Sequence, residues 1–329
     1  MSPPARRRLS IFRQPSVLTR HAAMRARTGS APIGEIQPQA SHRGGFTFVE
    51  LTIAIMITSM VTVVIAGLVS AVHHAWDFST NLEDTQVQAS AALERISFAV
   101  GNARCYRIGG GNPIPGVAVV THSWSILAMP DTLVVWNGGR NGFSAGRLAT
   151  VGQDGHFSSY PNRNELTIFA ADPNNPGHLV EISFPSATGT IDFSASTFGD
   201  DIRSLIQSNQ AEFALLSDRV RATRMPVAGS NPSLLSNVRF EIESTPSQTQ
   251  LGGVTPGSTA WRSLPWVQGM YGSDFGLRQV TVRTELQLET VPGESATGPE
   301  TPLFSAVQPP TTSLPFFGVA SIRYVHQAG

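Results

Sequence analysis

A long apolar run near the start of the chain constrains it more than any other feature. Residues 46–72 form a stretch of 27 residues in which Glu50 is the only charged side chain. As an α-helix at about 1.5 Å per residue the stretch would be roughly 40 Å long, enough to cross a bilayer. A carboxylate in such a span costs on the order of a few kcal/mol. The run therefore predicts a membrane helix in which Glu50 needs a binding partner.

The residues before the run suggest what that partner is. Gly44 and Gly45 precede Phe46, and Glu50 lies five positions after Gly45. This pattern resembles the class III signal of type IV prepilins and type II secretion pseudopilins. The resemblance implies cleavage between Gly45 and Phe46 by a prepilin peptidase, with Gly44 and Gly45 recognised in the leader, followed by N-methylation of the Phe46 amine. It also implies that Glu50 pairs with the Phe46 amine of a neighbouring subunit.

Elementary electrostatics agrees with this interpretation. Cleavage would place a positive charge at the end of an apolar helix, and a buried carboxylate is best neutralised by a cation. The alternative is an ordinary signal anchor in which Glu50 occurs by chance.

Charge divides the chain at the same point. Residues 1–45 carry eight arginines and one acidic residue, whereas the remainder carries 15 arginines and 22 acidic residues. Positive charge favours the cytoplasmic side, so we expect a single-pass inner-membrane protein with its globular domain in the periplasm. The leader, rich in Arg, Pro, Ser and Ala, is predicted to be disordered, and translation could also start at Met24. No long basic stretch follows Gly45, so no nucleic-acid partner is predicted.

Helical periodicity continues beyond the membrane run. Leu82, Ala89, Leu93, Ile96 and Val100 fall on one helical face. Residues 46–104 are therefore predicted to form one helix, roughly 88 Å long at about 1.5 Å per residue, with a transmembrane first half and an amphipathic second half. Gly67 either weakens the first half or permits close helix packing there.

Residues 105–291 are predicted to form a β-rich globular domain. Short apolar or alternating runs predict strands at Val117–Thr121, 132–136, 165–170, 178–184, 237–243 and 278–290. A short helix is expected at 200–208, capped by Asp200 or Asp201. Few connections are long enough for helical crossovers, so the sheet should be antiparallel. The predicted class is α+β, and the resemblance implies the pilin fold, a long N-terminal helix packed on an antiparallel β-sheet.

The last segment, 292–329, begins as a Pro/Thr/Ser-rich linker or surface loop. Within it, residues 316–325 are apolar enough to form either a final strand or a docking segment.

The second half of the chain carries a further pattern. Leu234-Leu235 precedes a strand, and Trp261 and the Leu264-Pro265-Trp266 segment precede the alternating strand. This order resembles the J-type minor pseudopilins, although Gly276-Leu277-Arg278 stands where that family usually has a proline. Trp261 and Trp266 could belong to the core or to a contact patch.

The J-type resemblance implies a structural role at the tip of a type II secretion pseudopilus, with no enzymatic activity and no cofactor. The implied partners are the prepilin peptidase, the other minor and major pseudopilins, the inner-membrane assembly platform and the lipid bilayer. A minor pilin of a type IV pilus or of a DNA-uptake machine is an alternative, and so is a simple anchored binding domain.

One motif points to a different class, a membrane-anchored serine hydrolase. Residues 142–146 match G-x-S-x-G with Ser144 as the nucleophile, and His156 or His178 could be proposed as its base. The flanking sequence lacks the strand and helix that this motif requires, so a glycine-rich surface loop is the preferred interpretation.

No metal site is predicted. His73 and His74 are adjacent on a helix, where side chains point about 100° apart, and they are interpreted as marking the membrane boundary with Trp76. The loop at Asp172 lacks a second acidic residue nearby and is interpreted as a turn. Cys105, the single cysteine, cannot form an internal disulfide and is expected to be a small residue at the helix end.

Overall fold

The computed structural model describes residues 47–121, 130–225, 233–267, 272–290 and 313–327. They form two compact units, the first ending at Val63 and the second beginning at Val64. The helices are α1 (Phe48–Gly101), α2 (Ala145–Leu148), α3 (Phe198–Ile206), α4 (Gln248–Leu251) and α5 (Thr259–Arg262), with a 3₁₀ helix at Arg163–Glu165. The strands are β1 (Cys105–Tyr106), β2 (Ile114–Pro115), β3 (Val117–Thr121), β4 (Pro130–Trp136), β5 (Leu166–Ala171), β6 (Leu179–Ser183), β7 (Glu212–Ser217), β8 (Ala222–Met225), β9 (Ser233–Ser236), β10 (Val238–Thr245), β11 (Phe275–Glu289) and β12 (Ser313–Gln327).

Helix α1 is a single uninterrupted element of 54 residues, close to the predicted span of 46–104. It continues through Gly67, because a glycine costs only about 1 kcal/mol relative to alanine. From Thr85 onward one stripe of the helix is buried, and alanines make up half of it. The buried residues are Thr85, Ala89, Ala92, Ile96, Ala99 and Val100. The predicted amphipathic second half is thus confirmed, with Leu82 and Leu93 at the partly buried margin of the stripe.

A five-stranded antiparallel sheet has the order β3-β4-β5-β6-β7. The helix α1 packs on one face, where Leu133, Val135 and Phe169 join its buried stripe. The other face packs against α3, whose Ile202 and Leu205 meet residues such as Ile168. Burial on both faces explains why the central strands read as continuous apolar runs without alternation.

A three-stranded antiparallel sheet, β10-β11-β12, covers the same helix stripe. Here the inward residues alternate with polar outward residues, as predicted for the β11 sequence. The C-terminal segment, for which the sequence left two possibilities, is a strand: Ser313–Gln327 pairs with β11 along its full length. The predicted mixed α+β class with a long N-terminal helix and antiparallel strands is therefore present, divided between two main sheets and two short ribbons, β1-β2 and β8-β9.

One sequence prediction is wrong, and one strand of the five-stranded sheet was not predicted. The short helix begins at Phe198 with Thr197 at the N-cap, so the prediction that Asp200 or Asp201 caps it is wrong. Both aspartates instead lie in the first turn, where their charge suits the positive end of the helix dipole. Strand β7 was not predicted, because it lies at the sheet edge, where most of its side chains remain exposed and no burial pattern is imposed on the sequence.

Trp261 and Trp266 belong to the core. Their ring centroids are 4.8 Å apart, and only 2% and 7% of their surfaces are exposed. Each indole N–H finds a backbone acceptor, the carbonyl of Gly272 for Trp261 and that of Trp261 for Trp266. The Trp266 ring lies directly over Gly276, where an added Cβ would come within 2.3 Å of the ring. The position of this tryptophan therefore requires a glycine at 276.

We expect Gly276→Ala to destabilise the protein, because Trp266 is buried and cannot move away without disturbing its neighbours. Overpacking of this kind costs about 1–3 kcal/mol. The free energy of unfolding of the detergent-solubilised chain, measured by denaturant titration, checks the prediction. Gly101→Ala is the matched control, because nothing lies within 4 Å of the Cβ that it would add. Equal stability of the two variants would contradict the packing interpretation.

Candidate functional site

The N-terminus of α1 holds the candidate assembly residue Glu50. Thr47 precedes the helix and accepts the first turn's hydrogen bond, from Leu51 N to its carbonyl oxygen at 3.1 Å. The Thr47 backbone N–H and hydroxyl donate to Glu50 Oε2 at 2.9 and 3.0 Å, and the Glu50 N–H approaches the Thr47 hydroxyl oxygen at 3.3 Å. This reciprocal arrangement is a capping box, which satisfies free donors at a helix start.

The capping box was missed in the sequence analysis, although the sequence carries its signature. Thr47 and Glu50 have the S/T-x-x-E spacing directly before an apolar run. The box gives Glu50 two neutral donors within its own chain, and no cationic group is among its hydrogen-bond partners in the described residues. Both residues are exposed, so the carboxylate can accept further bonds from outside the chain. Gly44, Gly45 and Phe46 lie outside the described residues.

The first half of α1 exposes its apolar side chains on every side. Phe48 is 83% exposed and Met60 is 75% exposed, and the residues between and beyond them are similarly uncovered. By length and composition this is a helix that could cross a membrane, and it is the one such helix in the described part of the chain. An apolar surface of this extent requires an apolar environment, either lipid or other helices. His73, His74 and Trp76 are also exposed.

Two polar clamps hold the second half of α1 to the sheets. Arg219, which is 7% exposed, donates through Nη1 to the carbonyls of Asn81 and Thr290 at 3.1 and 2.7 Å. The same nitrogen also reaches the Thr85 hydroxyl at 3.2 Å. Because these bonds join the helix to the end of β11, they fix how far the helix extends along the sheet.

The second clamp is a bidentate ion pair. Arg95 on the helix donates through Nε and Nη2 to the two carboxylate oxygens of Glu181 on β6, both at 2.6 Å. The hydrogen bonds to Glu181 raise the pKa of Arg95. Bidentate geometry sets orientation as well as distance, so this pair limits rotation of the helix on the five-stranded sheet.

A cluster of basic and aromatic residues at one end of the three-stranded sheet was also missed. Arg278 lies on the inward face of β11, opposite Tyr324 of β12, and is 6% exposed. The alternation of β11 contained this signal, because Arg278 shares the parity of the inward residues Val280 and Val282. His326 follows on the same face of β12, next to Trp261 and Trp266.

Ser144 acts as a helix cap in the structure. It is exposed, and its Oγ accepts from the N–H of Arg147 at 3.2 Å to begin the four-residue helix α2. His156 donates through Nε2 to the Val325 carbonyl oxygen, 2.7 Å away, and His178 contacts Asn175. No hydrogen bond among the described residues joins Ser144 to either histidine.

The rest of the G-x-S-x-G motif has a packing role. Phe143 contacts Trp136 edge to face, with ring centroids 5.5 Å apart, and also packs on Phe157. The Arg147 guanidinium lies over the same two rings, and its Nε is 3.3 Å from Glu165 Oε1. The motif thus packs an irregular loop against the buried rings of Trp136 and Phe157.

The remaining sequence candidates lie apart from one another. Cys105 is buried and free, and burial raises the pKa of its thiol to about 12, which keeps it protonated and unreactive. Asp172 Oδ1 accepts from the N–H of Asn174 at 2.8 Å, the geometry of an Asx turn. The described residues contain no group of three or more His, Cys, Asp or Glu side chains placed to hold a metal.

We expect Ser144→Ala to leave ester hydrolysis by the purified chain at the level of the unsubstituted protein, because the hydroxyl caps a helix and meets no base. Loss of an N-cap costs about 0.5–2 kcal/mol, so a small decrease in stability is the expected effect. Hydrolysis of p-nitrophenyl acetate and denaturant unfolding measure the two quantities. Loss of a measurable esterase activity in this variant would restore the hydrolase alternative.

Comparison with known proteins gives no further assignment. No protein-family model matches the chain, no curated protein matches it, and no solved structure matches it.

Proposed function

We propose that this chain is a pilin-fold structural subunit, a minor pseudopilin of a type II secretion pseudopilus with J-type character. The observation that carries the proposal is the division of one helix into two halves. Helix α1 begins at Phe48 with a capping box of Thr47 and Glu50, exposes apolar side chains through its first half, and buries a single stripe against antiparallel sheets through its second. This division suits a subunit whose helix moves from a bilayer into a bundle of neighbouring helices.

Glu50 has a conditional role in the proposal. In the single chain its carboxylate is bound by neutral donors of Thr47, which leaves its charge without a counter-ion among the described residues. A neighbouring subunit that has been cut before Phe46 brings an amine of opposite charge. Pairing of the two in an apolar bundle would offset the desolvation of both groups and fix the stagger between subunits.

The second half of α1 offers a lateral surface for neighbours. Val87 and Phe98 are 59% and 61% exposed on the side away from the sheets. They lie eleven positions apart, which is three helical turns, so they share one face. Helix-to-helix contact along this face would continue the packing of the apolar first half.

The experiment that tests the proposal most directly is mass spectrometry of the mature N-terminus. In cells with a prepilin peptidase we expect a chain that begins with N-methylated Phe46. Gly45→Leu is the control, because it removes the small residue at the scissile bond and should leave the leader attached. A natural chain that is uncut, or cut elsewhere, would overturn the proposal.

Glu50→Gln separates the charge of this residue from its capping role. Glutamine also serves at the third position of a capping box, so the helix start should remain intact. We expect normal cleavage but failure to enter filaments, because a neighbour's buried cation left unpaired costs about 3–5 kcal/mol. Shearing and quantification of filaments, with secretion as a second readout, provide the measurement.

Glu94→Gln is the matched control for the charge test. Glu94 is an exposed glutamate on the same helix, and the variant should assemble normally. Wild-type levels of filament entry by Glu50→Gln would refute the pairing role while leaving the processing prediction intact.

A further inference from the structure

Arg278 is a buried cation whose hydrogen-bond partners among the described residues are all neutral. Its Nε donates to the Pro246 carbonyl at 2.8 Å, and its Nη1 reaches Gln248 Oε1 at 3.3 Å and the Tyr324 hydroxyl at 3.2 Å. No carboxylate lies within 4.0 Å of it in the described ranges, and its Nη2 makes no hydrogen bond there. Burial of a charge is costly unless an opposite charge compensates it.

Two polar groups near Arg278 have unused hydrogen-bonding capacity among the described residues. The Tyr324 oxygen accepts from Arg278, which leaves the hydroxyl hydrogen free to donate. Burial raises the pKa of Tyr324 to about 12, so the hydroxyl keeps this hydrogen at neutral pH. His326, 3% exposed, has a buried Nδ1 without a hydrogen-bond partner among the described residues.

The surroundings of this cluster are positive. Arg107 lies nearby and is balanced by Asp154, at 3.1 Å, while it also donates to Gln327 at 2.9 Å. The pKa of His326 is lowered to about 4, mainly by burial. The positive charges of Arg278, Arg107 and His156 lower it further. The imidazole is therefore neutral at physiological pH, and the uncompensated charge is that of Arg278.

The Arg278 guanidinium lies close to the protein surface. Gln248, whose side chain it contacts, is exposed, so Arg278 lies directly beneath the protein surface at this end of the sheet. A ligand would not need to enter the core between helix and sheets.

We propose that Arg278, Tyr324 and His326, here called the Arg278 cluster, form a binding site for a compact oxyanion, the chemistry shared by phosphate and carboxylate groups. One such group supplies the missing negative charge and can accept from Arg278 Nη2, the Tyr324 hydroxyl and an N–H at His326 Nδ1. The anion is either a free ion or an acidic side chain of a neighbouring chain. The site is independent of the proposed assembly role of Glu50.

Equilibrium dialysis of the detergent-solubilised full chain with radiolabelled inorganic phosphate tests the site, at constant ionic strength set by chloride. We expect saturable binding of one phosphate per chain, with competition by acetate. Arg278→Gln should weaken binding by at least about tenfold, because it removes charge-assisted hydrogen bonds. Arg323→Gln is the matched control, since Arg323 is an exposed arginine on the neighbouring strand β12 and its variant should bind normally.

Tyr324→Phe is a second test in case Arg278→Gln fails to fold. It removes a single hydroxyl and should therefore leave the fold intact. Binding should weaken by roughly fivefold, as expected for one lost hydrogen bond. Absence of saturable phosphate binding by the natural chain, or unchanged binding by both cluster variants, would overturn the proposal.

Repeating the dialysis on native membranes distinguishes a free anion from an acidic side chain of a neighbouring chain. Phosphate binding that appears only after solubilisation identifies a neighbour's acidic side chain as the natural occupant. Equal binding before and after solubilisation identifies a free anion.

Discussion

Burial of one stripe of α1 against both main sheets is the constraint on which the rest of the second unit depends. Ala89, Ala92 and Ala99 place little volume between helix and strands, so the backbones approach closely, and Ile96 and Val100 fill the remaining space. The inward residues of β4 and of β11 meet on this one surface. Both sheets therefore pack on the same helix stripe. Without the helix, neither sheet would have a complete hydrophobic core.

Polar contacts then fix what apolar packing leaves free. Hydrophobic burial is non-directional and would tolerate sliding or rotation of a helix with several small residues on its face. The Arg219 hydrogen bonds at Asn81 and Thr85, and the bidentate pair of Arg95 with Glu181, set the position and the rotation of the helix.

The two ends of the β10-β11-β12 sheet differ in chemistry. Toward Leu288 the inward residues are aliphatic, whereas toward Gly276 they become Arg278, Tyr324 and His326, flanked by Trp261 and Trp266. The tryptophans shield this end from water, and Gly276 allows one of them to lie on the strand. Among the described residues Arg278 is bonded to neutral acceptors alone, whereas the exposed Arg283 pairs with Glu243.

Local features of the sequence determined the long helix, its amphipathic stripe, most strands of both sheets and the Thr47–Glu50 spacing. Periodicity and capping act over a few residues, so they can be read without knowing the fold. Tertiary structure alone decided that Ser313–Gln327 completes a sheet and that Arg278 lies against Tyr324 and near His326. These depend on strand register and on contacts between residues tens of positions apart, and no local pattern specifies which distant segment a side chain will meet.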